Sequence, residues 1–563
     1  MASAQPPGCA LSVGSGAGYL GAVPQRPSPR KEVPTRPSPS RREGASRPSS
    51  ARATLVVMFG IGVSRVFGLV RELVVAFYFG RAAAYSAFVA AYKVPNLVRV
   101  LLGEGNLSAS FIPVLAEKMR TDPAEAERLA RGVLGLLLAT VAVLTLAGMA
   151  AAPVLAWVVA PGFDPDLRAL VERLIVILFP TMALLVLGAW CMGVLHAHGR
   201  FFWPNFAPLF WSVVSAGALI AFVGRVDLDP VYVLAWGVVA GSALQLLVQL
   251  PATRAALGTL RPAGGWRDPA VRKVVALFTP MLVGTGVAQL STLVDVQIAS
   301  FLGGGAVASL AYAQRLYLLP LSLFGVAIAQ VALPTLAHDA ARTGERVRDE
   351  LAASWRRMAF LILPSALALV AFGRPAVSLL FERGRFEPAD TAAVTWVLAG
   401  YAAGLLAYAS VRLFATAFYA FHDTRTPVRV AVVALGVNVA LGITLAWLLG
   451  TPGIALATAT AAVANALALG ALLRRRLGPL LGPDGRRAAA RMAAAAAVAG
   501  ALALAPYLWL LGRWPAWGLG GRLVGALALY GGIGLVYLGA TVALGVEEPR
   551  RIRERLARRR RDG

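Results

Sequence analysis

From about residue 53 onward, apolar blocks of roughly 20 residues alternate with short polar connectors. That block length is what a helix needs to cross about 30 Å of hydrocarbon. Fourteen spans are predicted, near 54–79, 83–103, 131–159, 172–195, 205–224, 231–251, 275–301, 306–334, 358–381, 393–419, 427–449, 453–473, 488–511 and 521–545. A transmembrane β-barrel would instead show short segments alternating with period two, so the pattern predicts an all-α polytopic membrane protein. Pro95, Pro180, Pro208, Pro280 and Pro320 fall inside blocks, as membrane helices tolerate where neighbours re-satisfy the freed backbone groups.

Composition agrees: the 563 residues are 58% hydrophobic and 15% charged, with a mean hydropathy of +0.67. The formal net charge of +26 would suit a nucleic-acid binder, but the placement of the basic residues excludes that reading. "RAALGTLRPAGGWRDPAVRK", "RTGERVRDELAASWRR", "RRRLGPLLGPDGRR" and the tail "RRIRERLARRRR" all fall on the side of the N-terminus. Opposite connectors such as "PGFDPDL", "GRVDLDP" and "GTPG" are short and poor in Lys and Arg. The positive-inside rule places both termini in the cytoplasm.

"FIPVLAEKM" (111–119) resembles "ALPTLAHDA" (332–340), and "HGRFFWP" (198–204) resembles "HDTRTP" (422–427). Pro113 and Pro334 are 221 apart, His198 and His422 are 224 apart, and two matches at nearly one offset indicate a duplicated six-span unit. An even number of spans makes the repeat parallel, an arrangement that puts a transporter's substrate site between the halves. The expected organisation is a disordered Pro/Ser/Arg-rich tail at 1–52, a first lobe at 53–254, a cytoplasmic linker at 255–274, a second lobe at 275–476, two further helices at 477–545 and a basic tail at 546–563. Residues 1–50 have no apolar run and so no secretory signal; they read as a basic cytoplasmic tail or as sequence upstream of the true translation start.

Charge inside the spans is the signal for function. "SRVFGLVRELVVAFYFG" carries Arg65, Arg71 and Glu72, and "YKVPNLVRVLLGEG" carries Lys93, Asn96, Arg99 and Glu104. Asp295 lies in the seventh span and Arg315 in the eighth. A charge at the bilayer centre costs about 2.5–3.5 kcal/mol on insertion scales, so such residues face a bundle interior or a watery cavity. At about 100° per residue Arg65 and Glu72 share nearly one face, with Arg71 about 120° away, and all three can border one cavity. Arg99 and Glu104 could instead snorkel at a helix end, and Arg65 and Arg71 could be structural partners of Glu72. The set is mostly cationic, which calls for an anionic ligand, and the planar guanidinium suits phosphate. No H-E-x-x-H, P-loop or Gly-x-Ser-x-Gly pattern accompanies these charges, so no enzyme chemistry is expected. Asn438 and Thr458 read on their own as glue between helices. Cys9 and Cys191 form no disulfide framework or metal spacing.

The run "SRVFGLVRELVVAFYFG…AFVAAYKVPNLVRVLLGEGNLSASFIPVLAE", with "HGRFFWPNFAPL", "LLVQLPA", "LFERGRFEPADT" and "FYAFHDTRTPV", resembles the MurJ (MviN) family of bacterial lipid II flippases. That family belongs to the multidrug/oligosaccharidyl-lipid/polysaccharide exporter superfamily. The resemblance implies two six-helix lobes around a central cavity and two C-terminal helices forming a lipid-tail groove. It implies an inner-membrane protein that moves lipid II, the undecaprenyl-pyrophosphate-linked peptidoglycan precursor, to the periplasmic leaflet by alternating access. The cell-wall synthesis machinery and membrane lipids are the partners it implies, with no nucleic acid. Arg65, Arg71, Arg99 and Arg315 match the family's cavity arginines, Glu72 stands where Asp is usual, and Glu104 matches its glutamate. Ser86 and Gln314 replace frequent aspartates, which makes the cavity field more positive. The resemblance also implies a sodium site at Asp295, Asn438, Ile454 (through its backbone) and Thr458, weakened because Gly442 stands where a further Asp ligand is found. The alternatives are a flippase for another polyprenyl-linked oligosaccharide, of O-antigen or exopolysaccharide type, and a polytopic enzyme acting on polyprenyl phosphates.

Overall fold

The computed structural model describes the backbone of residues 50–550 other than 104, 266 and 341–343, and their side chains apart from 50–58, 61, 280, 283–285, 287 and 288. Expectations for the two tails therefore fall almost wholly outside it. All features below belong to one compact unit, Ala51–Gly563. Among the described residues the only β-structure is one isolated bridge, Val223 to Val226, so the all-α expectation holds.

The first half of the chain forms α1 (Ser50–Phe79), α2 (Ala83–Leu102), α3 (Asn106–Thr121), α4 (Pro123–Ala150), α5 (Ala152–Val159), α6 (Pro165–Ala197), α7 (Phe202–Phe222), α8 (Pro230–Leu247) and α9 (Leu250–Leu257). The second forms α10 (Pro269–Ser300), α11 (Ala306–Pro320), α12 (Ala327–Ala340), α13 (Gly344–Phe381), α14 (Pro388–Ala403), α15 (Leu405–Ala420), α16 (Arg425–Leu449) and α17 (Thr451–Leu477), followed by α18 (Pro483–Arg513) and α19 (Leu519–Ala543). Among the described residues, eleven helical segments are long and apolar enough to cross a membrane. The expected spans at 54–79, 83–103 and 275–301 are helical, as α1, α2 and α10, without belonging to those eleven.

Local sequence explains many boundaries. Asp-Pro pairs start helices, because the carboxylate accepts orphan N–H groups while proline needs no donor. Asp122 accepts from Ala124 N (2.9 Å) and Asp268 from Ala270 N (2.7 Å). Three basic residues, Arg474 to Arg476, end α17, where the helix dipole and the polar interface both favour them. Proline accounts for two interruptions. A π-helical stretch, Leu321–Val326, follows Pro320 and joins α11 to α12. The kink in α13 falls at Phe372, three residues before Pro375, whose ring clashes with the preceding turn.

One element escapes the hydropathy pattern. The amphipathic α3 buries Leu107, Phe111, Val114 and Leu115 and ends with Lys118 and Arg120. "FIPVLAEKM" lies on α3 and "ALPTLAHDA" on α12, so both copies of that motif are helices following a helix pair. His198 and His422 likewise both stand just past a helix end, after α6 and α15.

The two halves meet closely at one end. Tyr312 donates to Gly80 O (3.0 Å), Ala308 N to Ser86 Oγ (3.1 Å) and Arg385 N to Phe77 O (2.9 Å). Arg81 donates to Ser309 Oγ (2.6 Å) and lies 3.6 Å from Asp390. Toward the end bearing the basic connectors, Val66, Phe67 and Val70 of α1 and Leu318, Leu319 and Leu323 are exposed instead.

Candidate functional site

Between the halves lies a cavity of about 350 Å³ lined by α1, α2, α7, α8, α10 and α11. Its walls carry Arg71, Glu72, Lys93, Asn96, Arg99, Asp295, Gln314 and Arg315, so residues 244 positions apart in the sequence share one chamber. Four of those side chains are cations and two are carboxylates. Glu72, 5% exposed, is the hub: Arg71 from the adjacent position pairs with it, and Arg315 Nε reaches the same oxygen at 3.3 Å. One carboxylate thus serves two guanidiniums from different halves of the chain.

The pairing is incomplete in a useful way. Arg71 is 9% exposed, its guanidinium lies 4.0 Å from the Trp211 ring centroid, and its Nε has no hydrogen-bond partner. An unsatisfied buried guanidinium donor is costly, and this one leaves Arg71 able to take a further acceptor. Arg315 keeps half its side chain exposed. Arg99 donates to Asn96 Oδ1, one turn back on α2, through Nε (3.1 Å) and Nη2 (2.9 Å). Lys93, one turn before Asn96, has no ion-pair partner among the described residues. Tyr85, Phe88, Tyr92 and Trp211 stack in sequence along one wall.

Other sequence expectations fare differently. Arg65 is not brought to this chamber: it is exposed on α1 and absent from the cavity walls. Its helical phase matches Glu72, but seven residues put it about 10 Å further along the axis, beyond the enclosed part. Glu104 lies outside the described residues. Ser86, expected to alter the cavity charge, is fully buried at the joint between α2 and α11 and does not line the chamber. Gln314 does line it, donating to Tyr401 OH at 3.1 Å. The sequence reading missed Tyr92 and Trp211, because an aromatic residue in an apolar span carries no mark that separates a cavity wall from a lipid-facing or packed position.

The other predicted cluster also assembles. Asn438 Nδ2 donates to Asp295 Oδ1 (3.1 Å) and Ser291 Oγ (3.2 Å). Thr458 Oγ1 lies 3.2 Å from Asp295 Oδ2 and 3.0 Å from Ile454 O. Asn438 Oδ1 is buried with no partner. One carboxylate, an orphan amide oxygen, a hydroxyl and a backbone carbonyl form the oxygen-only set a hard cation takes, so these residues fit such an ion. Asp295 belongs to the chamber wall as well.

Comparison with known proteins follows the same lines. The family profile described as "Lipid II flippase MurJ" matches residues 75–527. A "Probable lipid II flippase MurJ" of Vibrio cholerae is 35% identical over 507 residues, covering 86% of this chain and 94% of the relative. A "Lipid II flippase MurJ" of Burkholderia cenocepacia is 36% identical over 433 residues, covering 76% and 84%. Among solved structures, one described as lipid II flippase MurJ in an inward closed conformation superposes with a TM-score of 0.70 at 21% identity, covering 87% of this chain and all of the other. An inward-facing multidrug transporter of the MATE family gives 0.61 at 14% identity; these two likenesses speak for the fold. With the profile spanning most of the chain and relatives above 30% identity along most of their own length, the chain belongs to the MurJ family.

Proposed function

We propose that this chain translocates lipid II from the cytoplasmic to the periplasmic leaflet, with both termini in the cytoplasm. The activity is transport, not catalysis, and the chain is a multi-pass inner-membrane protein. The observation that carries the reading is the chamber's surplus of two positive charges together with the unpartnered Arg71 Nε. A diphosphate supplies acceptors for the unpartnered Arg71 Nε, for Lys93 and for the exposed half of Arg315, and a charge-assisted bond to an anion is roughly twice as strong as a neutral one. The undecaprenyl tail stays in lipid. Glu72 holds Arg71 and Arg315 at a common point, so that one anion reaches guanidiniums from both halves of the chain and its arrival and departure bias their relative position.

The closed end, around Gly80, Ser86 and Tyr312, is the periplasmic one in the positive-inside orientation. The described state therefore offers the chamber to the cytoplasmic side. Asp295, Asn438, Thr458 and the Ile454 carbonyl would hold sodium, adding positive charge beside the chamber wall.

The test is complementation of a cell depleted of its own flippase. Arg71→Ala and Arg315→Ala are expected to abolish growth while the protein is still made and inserted, with lipid II no longer reaching the outer leaflet. Normal growth of both variants would refute the cavity reading. Growth rescue without any change in lipid II accessibility would point to another polyprenyl-linked oligosaccharide as cargo.

A further inference from the structure

Trp211 is the one residue that α7 contributes to the wall of the central chamber. The Arg71 guanidinium lies against its ring, 4.0 Å from the centroid. Glu72 anchors the same guanidinium through Nη2, so Arg71 is fixed at two points, one nitrogen by charge and one side by the indole. Among aromatic rings the indole face attracts a cation most strongly, and the planar guanidinium is the cation suited to stack on it. Trp211 Nε1 is buried with no hydrogen-bond partner, although a buried indole N–H usually finds one. The ring therefore works through its face.

That face is itself held. Trp211 ends an aromatic column in which Tyr92 stacks on the indole with centroids 6.4 Å apart and planes at 28°. Phe88 stacks on Tyr92 (6.1 Å, 2°) and Tyr85 on Phe88 (6.1 Å, 12°). These three residues recur at spacings of three and four along α2, which puts them on one helical face. The far end of the column is Tyr312 of α11, 5.2 Å from Tyr85, whose hydroxyl donates to Gly80 O in the closed joint. A side chain whose orientation is locked by packing can in turn hold a binding group in place.

We propose that Trp211 is a positioning residue for anion binding, holding the Arg71 guanidinium beside Arg315 so that one phosphate group reaches both. Arg315 shares the Glu72 oxygen with Arg71, which sets the two guanidiniums side by side. Without the ring, Glu72 alone ties Arg71 down at a single nitrogen, and the guanidinium swings about that bond. Binding must then remove a freedom that the indole otherwise removes in advance. The inference rests on the reading of the chamber as an anion site, and it adds a residue that acts through Arg71 rather than on the cargo.

The test uses the full-length chain in detergent, with undecaprenyl diphosphate and lipid II as probes and bound lipid counted by native mass spectrometry. Trp211→Met fills the space without a ring face and is expected to weaken undecaprenyl diphosphate binding about 5- to 30-fold. Trp211→Leu, a second ringless variant, should match it. Trp211→Phe keeps a face and removes the orphaned N–H, and should lie nearer the parent. In an Arg71→Ala background, itself much weaker than the parent, Trp211→Met should cost nothing further, because effects that pass through one residue are not additive. General damage to the fold would persist in that background. Trp236→Met removes an exposed indole of α8 outside the chamber, and should bind like the parent. Parent-like binding by Trp211→Met would overturn the proposal, as would the same loss with and without Arg71. A phenylalanine variant as weak as the methionine one, or an equal loss from Trp236→Met, would overturn it too. A parent that binds undecaprenyl diphosphate but not lipid II would refute the lipid II reading and leave the role of Trp211 standing. Binding undiminished by Arg71→Ala would refute both.

Discussion

The closed end of the central chamber depends on a close backbone approach that only glycine permits. Gly80, at the end of α1, has φ +53°, and a Cβ there would press into the Arg385 carbonyl, lying 2.9 Å from its carbon and 3.0 Å from Asp390 Oδ2. Gly384 in the facing connector has φ +59°, and its own Cβ would press into Phe77 O. Each segment seats its glycine against the other's carbonyl. Gly80→Ala therefore carries two penalties. The left-handed backbone costs about 1 kcal/mol without glycine. Backbone cannot swing aside as a side-chain tip can, so the clash is relieved only by parting α1 from the connector. That parting removes the Arg385 N to Phe77 O and Tyr312 OH to Gly80 O bonds, each contributing about 0.5–1.5 kcal/mol.

Gly224 separates the two penalties, because it has φ +81° with nothing within 4 Å of its missing Cβ. Gly224→Ala should show only the conformational cost. The difference between the variants, about 1–3 kcal/mol, falls on the closed state alone and shifts the closed-to-open balance by about 5- to 150-fold. A thiol reporter, Ala311→Cys in the chamber wall, reads this out in a Cys9→Ser background, since Cys191 is buried. A membrane-impermeant reagent supplied from the periplasmic side should label the reporter faster by that factor with Gly80→Ala, and at the parent rate with Gly224→Ala. Equal rates in the two variants would show that the interlock does not hold the chamber shut.

Other predictions concern the cation cluster and a connector. Gly442→Asp adds a carboxylate one turn from Asn438, with its Cβ 2.8 Å from Ile298 Cδ1, the far end of a flexible side chain that can turn away. Sodium should then raise Tm more than in the parent, since a ligand at a hundred times its Kd stabilises by about 2.7 kcal/mol; an unchanged sodium response would mean that these oxygens do not bind the ion. Asp423 accepts from Thr426 N (3.0 Å) and from its hydroxyl (2.7 Å) at the start of α16, and the backbone N–H first, then the hydroxyl, hold its carboxyl below the usual range. A depressed folded pKa contributes stability above the unfolded value of about 3.9, and that stability is lost as pH falls through the folded value. Asp423→Ala should cost about 1 kcal/mol at neutral pH, and the Tm gap between variant and parent should close as pH falls below the unfolded value and through the lower folded one.

Which parts of this molecule were legible beforehand follows from what a sequence encodes locally. Intramembrane charge is rare and costly, so Arg71, Glu72, Lys93, Arg99, Asp295 and Arg315 identified themselves, and the structure gathers them around one chamber. Helical phase was legible for Arg65 too, but phase says nothing of how far along the axis the chamber extends, and Arg65 lies past it. α3 escaped because its apolar residues occupy one face only, which dilutes an averaged window. Trp211 escaped because its role exists only in relation to Arg71, 140 positions away.

The same distinction separates the two substituted aspartate positions. Ser86 and Gln314 looked alike as lost negative charges, yet one lies in the joint and the other in the wall. Ser86 accepts a backbone N–H from Ala308, a bond a neutral hydroxyl can make and release without uncovering a buried charge. A carboxylate there would make a stronger bond and leave a costlier group behind on opening. The joint at Ser86 is thus held by a neutral hydrogen bond, and the Gly80 and Gly384 approaches beside it are set by shape rather than by charge.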